Sequence, residues 1–138
     1  MRHVVFRLER DRYALPLAAI REVVVAPEQY TRVPRAPPSV KGVMNLRGRV
    51  VPVVDLKSLL GVATPTSLPA SKVVLLDRGR RELGLLVTEV DGIESIEKVA
   101  GARASPAVRG LARVGALAIT VLDPDGLDSA VARAFTTR

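Results

Sequence analysis

Gly42-Val43-Met44-Asn45-Leu46-Arg47-Gly48-Arg49-Val50-Val51-Pro52-Val53-Val54-Asp55-Leu56 is the stretch from which the fold can be read. Apolar residues crowd both of its arms, and a polar Arg-Gly-Arg sits between them. Glycine tolerates the backbone angles that a tight turn requires, so the stretch predicts two strands joined at Arg47-Gly48-Arg49. Pro52 has no amide to donate to a ladder, which assigns it to an edge or a bulge. Residues 55–60 then read as one helical turn closed by Gly61.

Upstream of this stretch, Pro27, Pro34, Pro37 and Pro38 mark an ordered connector. Before the connector, residues 4–8 and 13–17 flank the polar Glu9-Arg10-Asp11-Arg12 as a β-hairpin. Residues 17–20 suggest a short helical turn, and the β-branched Val23-Val24-Val25 a strand. Downstream, residues 62–71 have the Thr, Pro and Ser content of a surface loop. Residues 73–76 and 83–87, joined through Arg78-Gly79-Arg80, then echo the opening hairpin. Leu15 and Leu85, Leu17 and Val87, and Ile20 and Val90 each lie 70 positions apart, and Gly42/Gly110 and Asp55/Asp123 lie 68 apart. A single domain over 1–138 follows, made of two intertwined lobes at roughly 15–65 and 70–125. The N-terminal strand and C-terminal segment complete these lobes, and one apolar layer is shared between them. Residues 127–138 add a short terminal helix capped by Asp128 or Ser129.

Composition narrows the chemistry. The chain has 138 residues, 48% of them hydrophobic, and no cysteine. Thiol nucleophiles, zinc–thiolate sites and disulfides are thereby excluded. The lone histidine, His3, removes histidine triads and multi-histidine metal sites and reads as a terminal strand residue. No apolar run approaches the ~20 residues that span a bilayer, and no secretory layout is present, which points to the cytosol. Aromatics make up only 3%, against 22 valines, so the expected core is aliphatic and β-rich. Glu89/Asp91 and Glu94/Glu97 are the carboxylate pairs on which an enzyme could be built. Neither has a histidine or cysteine beside it, and solvated surface is the simpler reading. Asp123-Pro124-Asp125-Gly126 lacks the ligand spacing of a calcium loop and reads as a turn. No cofactor, metal or catalytic site is expected.

Lys+Arg 21 against Asp+Glu 14 leave a net charge of +7. Arginines cluster at Arg10/Arg12, Arg47/Arg49 and Arg78/Arg80/Arg81, all at expected hairpin tips. A small basic β domain gripping nucleic acid or another acidic surface is therefore the competing reading. The aromatic stacking platforms of single-strand binders are nearly missing, and no recognition helix is evident.

The stretch from Gly42 to Leu56, followed by Leu60-Gly61, resembles the signature of the CheW-like domain family. That family comprises the chemotaxis coupling proteins and the regulatory domain of CheA-type histidine kinases. The likeness extends in order through Val5-Phe6-Arg7-Leu8, Tyr13-Ala14-Leu15-Pro16, Ile20-Arg21-Glu22-Val23, Pro34, Ala36-Pro37, Leu83-Gly84-Leu85-Leu86-Val87, Gly110-Leu111 and Val121-Leu122-Asp123. It implies two SH3-like five-stranded β-barrel subdomains with short helical turns. It also implies a non-enzymatic, cytoplasmic adaptor that couples a chemoreceptor's cytoplasmic signalling tip to a CheA-type histidine kinase. In a chain this short, it implies the free-standing coupling protein rather than a kinase fragment, beginning almost at the first strand. Carried over position by position, Ile20, Glu22, Val23, Gly42, Val43, Asn45 and Arg47 become the receptor-binding residues, with Glu22 and Arg47 paired. Val73, Val90 and Gly110 become the kinase-binding residues. The chain departs from the family pattern at Thr88 and Asp91, both in the lobe expected to meet the kinase. The +7 is not a family feature, and an unusually acidic partner met by Arg78, Arg80 and Arg81 is expected to account for it.

Overall fold

Strands buried on both faces carry unbroken apolar runs, and Val73-Val74-Leu75-Leu76 and Leu83-Gly84-Leu85-Leu86-Val87 are two such runs. The structure, a computed structural model, describes residues 1–62, 69–79, 82–101 and 105–136. Among the described residues ten strands form: β1 (Arg2–Leu8), β2 (Asp11–Pro16), β3 (Ile20–Val25), β4 (Val40–Leu46), β5 (Arg49–Asp55), β6 (Lys72–Asp77), β7 (Glu82–Val87), β8 (Glu89–Ser95), β9 (Val108–Val114) and β10 (Leu117–Leu122). Helix α1 (Leu56–Leu60) follows β5, helix α2 (Pro124–Thr136) follows β10, and a 3-10 turn at Leu17–Ala19 joins β2 to β3. Val62, Pro69 and Ala70 are described as loop, and the rest of the expected 62–71 loop lies largely outside the described residues.

Two five-stranded sheets result, with strand orders β8-β1-β2-β10-β9 and β3-β6-β7-β5-β4. Exchanging β1 for β6, β2 for β7, β3 for β8, β4 for β9 and β5 for β10 turns one order into the other. The correspondence reaches single residues. In the parallel ladder Val121 lies opposite Ala14, and in its counterpart Val53 lies opposite Gly84. These pairs differ by the same 70 and 68 positions that relate the sequence repeats. The same bulge recurs where Gly42 faces Val53 and where Gly110 faces Val121. A Cβ on Gly42 would lie 2.4 Å from the Thr31 carbonyl oxygen, and one on Gly110 would lie 2.6 Å from that of Ala100. Both positions therefore exclude any side chain.

The sheets divide the chain differently from the repeat. β3 follows the first hairpin but pairs with β6, and β8 follows the second hairpin but pairs with β1. Residues 20–87 thus build one sheet, while 2–16 and 89–122 build the other, so that β6 and β7 share a sheet with β3–β5. The expected barrels are open: β8 and β9 bound one sheet, β3 and β4 the other. The connectors take up the edges where closure would occur. Val43 exchanges both backbone bonds with Thr31 (2.8 and 2.9 Å), and Leu111 does so with Ala100 (2.7 and 2.8 Å). Pro52 is likewise not on an edge strand, since β5 runs between β7 and β4. It lies opposite Val43, whose bonds go to Thr31, and the β5–β7 pairing starts one residue later at Val53, so no donor is missed there.

Period-two alternation distributes the buried side chains among three clusters. Phe6, Leu8, Leu15, Val54, Leu56, Val74, Leu76, Leu83, Leu85, Val87, Ala107, Leu122 and Leu127 form the layer shared by both sheets and both helices. The opposite faces close smaller clusters within each curl: Met44, Val51, Val53, Val73 and Leu75 in one, and Val5, Ala14, Ile119 and Val121 in the other. The C-terminal helix begins earlier than expected, because Asp123 is the better cap. Its Oδ1 accepts from the backbone N–H of Asp125 (3.0 Å) and Gly126 (3.3 Å), and Pro124 fits the first helical position. Asp55 does the same for α1, accepting from the Lys57 N–H at 3.1 Å, with Gly61 left-handed at the other end. The segment read as a turn, Asp123-Pro124-Asp125-Gly126, is therefore a cap and the first turn of a helix.

Candidate functional site

Arg47 and Gly48 form the two-residue turn between β4 and β5, with φ of 51° and 86°. Positive φ at both central residues is the turn whose twist matches a hairpin. The Asn45 side chain helps to close it by accepting the Gly48 N–H at 3.0 Å. The turn projects Arg47, whose side chain is 62% exposed, and its Nη2 donates to Oε1 of Glu22 on β3. β3 and β4 are the two outer strands of their sheet, so this ion pair spans the mouth of the curl. The expected Glu22–Arg47 pair is present.

Sequence reasoning missed what stands behind it. Arg49 Nη2 lies 3.8 Å from the same Glu22 oxygen, and Arg49 Nε lies 3.2 Å from Oε1 of Glu82 on β7. Arg21 lies within 4.0 Å of Glu82 and 3.2 Å of Asp77. Six side chains of alternating charge thus run from the turn to β6. The Gly79 N–H bonded to Asp77, with Arg21 beside it, holds the Asp77 carboxyl below the usual carboxylate range. The sequence signal was available in principle: Arg49 and Glu82 occupy the first positions of β5 and β7, but nothing local to either names the other.

The other sheet carries a related ion cluster with its signs reversed. Arg21, the bulge residue of β3, corresponds to Asp91, the bulge residue of β8. Asp91 binds Arg7 at 2.9 Å and Arg12 at 3.3 Å, and these arginines stand where Asp77 and Glu82 stand in the first sheet. Thr88, the other departure from the family pattern, accepts the Glu9 N–H on its hydroxyl at 2.8 Å where the chain crosses between sheets. Both departures are thus absorbed in structural contacts. Glu89 and Asp91 do not face each other as an acid–base pair. Glu89 binds Lys72 at 3.2 Å, and the Val90 N–H, Lys72 and Ser71 lower its pKa from the ordinary carboxylate value. Among the described residues, no cluster of three or more His, Cys, Asp or Glu could hold a metal, and no helix is long and apolar enough to cross a membrane.

The remaining expected residues scatter. Ile20 packs against the shared core, while Val23 is 36% exposed on β3. Val43 lies on β4, at the far end of the sheet order from both. Gly42 is buried and held by its bulge. Of the residues assigned to the kinase, Val73 is fully buried beside Val24, Val90 packs half-buried on the shared core, and Gly110 is buried against Ala100. A side chain with no exposed surface cannot reach a partner without unpacking its cluster, so Val73 is a core residue. Val73 is also in one sheet, and Val90 and Gly110 in the other.

A duplicated pair of open β-sheets, sharing one core and carrying an ion-paired hairpin turn, defines the class of β module to which this chain belongs. The model of the CheW-like domain matches residues 2–131, and the chain belongs to that family. It is 28% identical over 104 residues to the chemotaxis protein CheW of Klebsiella aerogenes, covering 75% of this chain and 60% of that protein. To Protein PilI of Pseudomonas aeruginosa it is 33% identical over 89 residues, covering 64% of this chain and 49% of that one. The crystal structure of scaffolding protein TtCheW from Thermoanaerobacter tengcongensis superposes with a TM-score of 0.76 at 27% identity, covering 88% of each chain. The matched region spans about half to three-fifths of the length of these curated relatives.

Proposed function

We propose that this protein is a non-enzymatic cytoplasmic adaptor of a chemosensory array, linking a chemoreceptor's cytoplasmic signalling tip to the regulatory domain of a CheA-type histidine kinase. Family membership and the likeness to a scaffolding protein support the adaptor role. The observation that carries the receptor contact is the Glu22–Arg47 pair, held on a pre-formed two-residue turn at the mouth of one sheet. A planar guanidinium there offers several donors in a fixed fork to carboxylates or helix-end carbonyls of a helical hairpin. Asn45 shapes the turn, Gly42 and Val43 set the strand beneath it, and Ile20 and Val23 flank Glu22. The kinase is assigned to the other sheet, around Val90 and the β9 edge at Gly110, with Val73 acting only through the core.

Pull-down with a receptor-tip fragment and with a CheA regulatory domain tests the assignment. Both are expected to bind, and Arg47→Ala is expected to lose the receptor tip while retaining the kinase domain. If neither binds and the protein instead grips random-sequence DNA with a steep loss of affinity on adding salt, the nucleic-acid reading replaces the adaptor.

A further inference from the structure

Arg49 connects the exposed recognition turn to the protein interior. Its Nε is 3.2 Å from Glu82 Oε1, and its Nη2 is 3.8 Å from the Glu22 oxygen that Arg47 also binds. The exposures run steeply along this line: 62% for the Arg47 side chain, 42% for Arg49 and 8% for Glu82. The second Glu82 oxygen, Oε2, is buried without a hydrogen bond, 4.0 Å from Arg21 Nε. A carboxylate buried this far costs free energy unless cations compensate it, so the two arginines beside it are held in place. An exposed ion pair of two flexible side chains, by contrast, does little to fix either partner. Glu22 and Arg47 alone would be such a pair.

The fold does not require this arrangement. In the other sheet the corresponding positions are Gly92 for Glu22, Gly115 for Arg47, Leu117 for Arg49 and Arg12 for Glu82. The same strand order and the same bulges form there with an entirely different set of side chains. At the position matching Glu82 the other sheet has the basic Arg12, so the acidic anchor behind the turn has no counterpart there.

We propose that Glu82 and Arg49 are positioning residues for the receptor contact. Glu82 orients the Arg49 guanidinium, Arg49 orients the Glu22 carboxylate, and Glu22 presents Arg47 in one direction. The proposal rests on the reading of Arg47 as a receptor contact and adds what makes that contact selective. A wedge of positive charge on a mobile side chain binds many acidic surfaces weakly, whereas one held in a single orientation favours a partner whose acceptors match it.

The test uses Arg47→Ala, Arg49→Met, Glu82→Gln and the double variant Glu82→Gln/Arg47→Ala. Each is checked for folding by thermal melting and titrated calorimetrically with a soluble receptor-tip hairpin. Arg49→Met, on a half-exposed side chain, carries the test if Glu82→Gln fails to fold. Arg49→Met and Glu82→Gln are each expected to weaken binding roughly threefold or more, and Glu82→Gln is expected to add almost nothing once Arg47 is Ala, because coupled residues are not additive. Wild-type affinity in both single variants, with Arg47→Ala impaired, overturns the positioning role and leaves the receptor reading standing. A second arm needs no partner: the arginine side-chain Nε–Hε NMR signals of Arg47 are expected to shift and broaden in Arg49→Met. Unchanged Arg47 signals overturn the relay whatever the protein binds. Wild-type receptor affinity in Arg47→Ala, with those signals shifted as expected, overturns the receptor reading alone.

Discussion

Gly42 and Gly48 stand six residues apart in one hairpin and are glycine for different reasons. Gly42 faces the Thr31 carbonyl, which a Cβ would meet at 2.4 Å, whereas a Cβ on Gly48 would meet nothing within 4 Å. Gly42→Ala must push the connector off β4 and is expected to cost about 2–4 kcal/mol in urea unfolding. Gly48→Ala meets only the strain of its positive φ and is expected to cost about 1 kcal/mol. Equal costs would show that the bulge is softer than its geometry. Asp77 and Glu89, together with Glu97, contribute to an acid response. Asp77 is held low by the Gly79 N–H and Arg21, and Glu89 by the Val90 N–H, Lys72 and Ser71. A carboxyl with a lowered folded-state pKa stabilises the fold at neutral pH and loses that contribution as acid protonates it, chiefly below about pH 4–5. Melting temperature is expected to fall across that range, and Asp77→Asn with Glu89→Gln to flatten the fall. The Glu22–Arg47 pair was legible because a known motif names both positions. Glu82 was not, because its partner lies on another strand and its burial comes from the curl of the sheet.

At the scale of elements, α2 shows how tertiary packing sets a boundary that local pattern leaves open. Asp123 caps it, and Leu127 enters the shared core with no exposed surface. Gly126 packs so closely on Pro106 that a Cβ would lie 1.8 Å from the Pro106 carbonyl oxygen. The helix reaches across to the β6–β7 hairpin, where Arg78 binds Asp125 at 2.6 Å. Leu127→Ala is expected to destabilise the protein by about 2–5 kcal/mol in urea unfolding, a core-sized effect from a helix at the end of the chain. A loss below about 0.5 kcal/mol would show that the helix merely rests on the surface. Hairpins, the capped α1 turn and the repeat offsets were readable, because turns and caps depend on neighbouring residues. The exchange of β3 and β8 between sheets was not. A strand that is apolar on both faces, such as Val73–Leu76 in β6, looks the same in either sheet, and only the crossings at residues 17–19 and at Thr88 decide its partner.

For the whole molecule, the positive charge is the property most altered by the structure. At least seven arginines are engaged with carboxylates: Arg7, Arg12, Arg21, Arg47, Arg49, Arg78 and Arg109. Arg78, expected to meet an acidic partner, instead docks α2, and Arg80 and Arg81 lie outside the described residues. Each such pair uses a carboxylate as well as an arginine, so the net excess of +7 stays outside internal pairing and the phosphate-gripping reading is decided by the binding test. The two sheets, so alike in topology, differ most where partners would approach: an ion-paired turn on one and Gly115-Ala116 on the other. In the proposed adaptor, that asymmetry is what distinguishes the receptor-facing sheet from the kinase-facing one. The most direct measurement is calorimetric titration of the wild type and Arg47→Ala with a receptor-tip hairpin and, separately, with a CheA regulatory domain. The expected result is that the wild type binds both and the variant keeps the kinase domain but loses at least about tenfold in receptor affinity. Equal receptor affinity in the two proteins, or no binding of either partner by the wild type, would contradict the adaptor account at its centre.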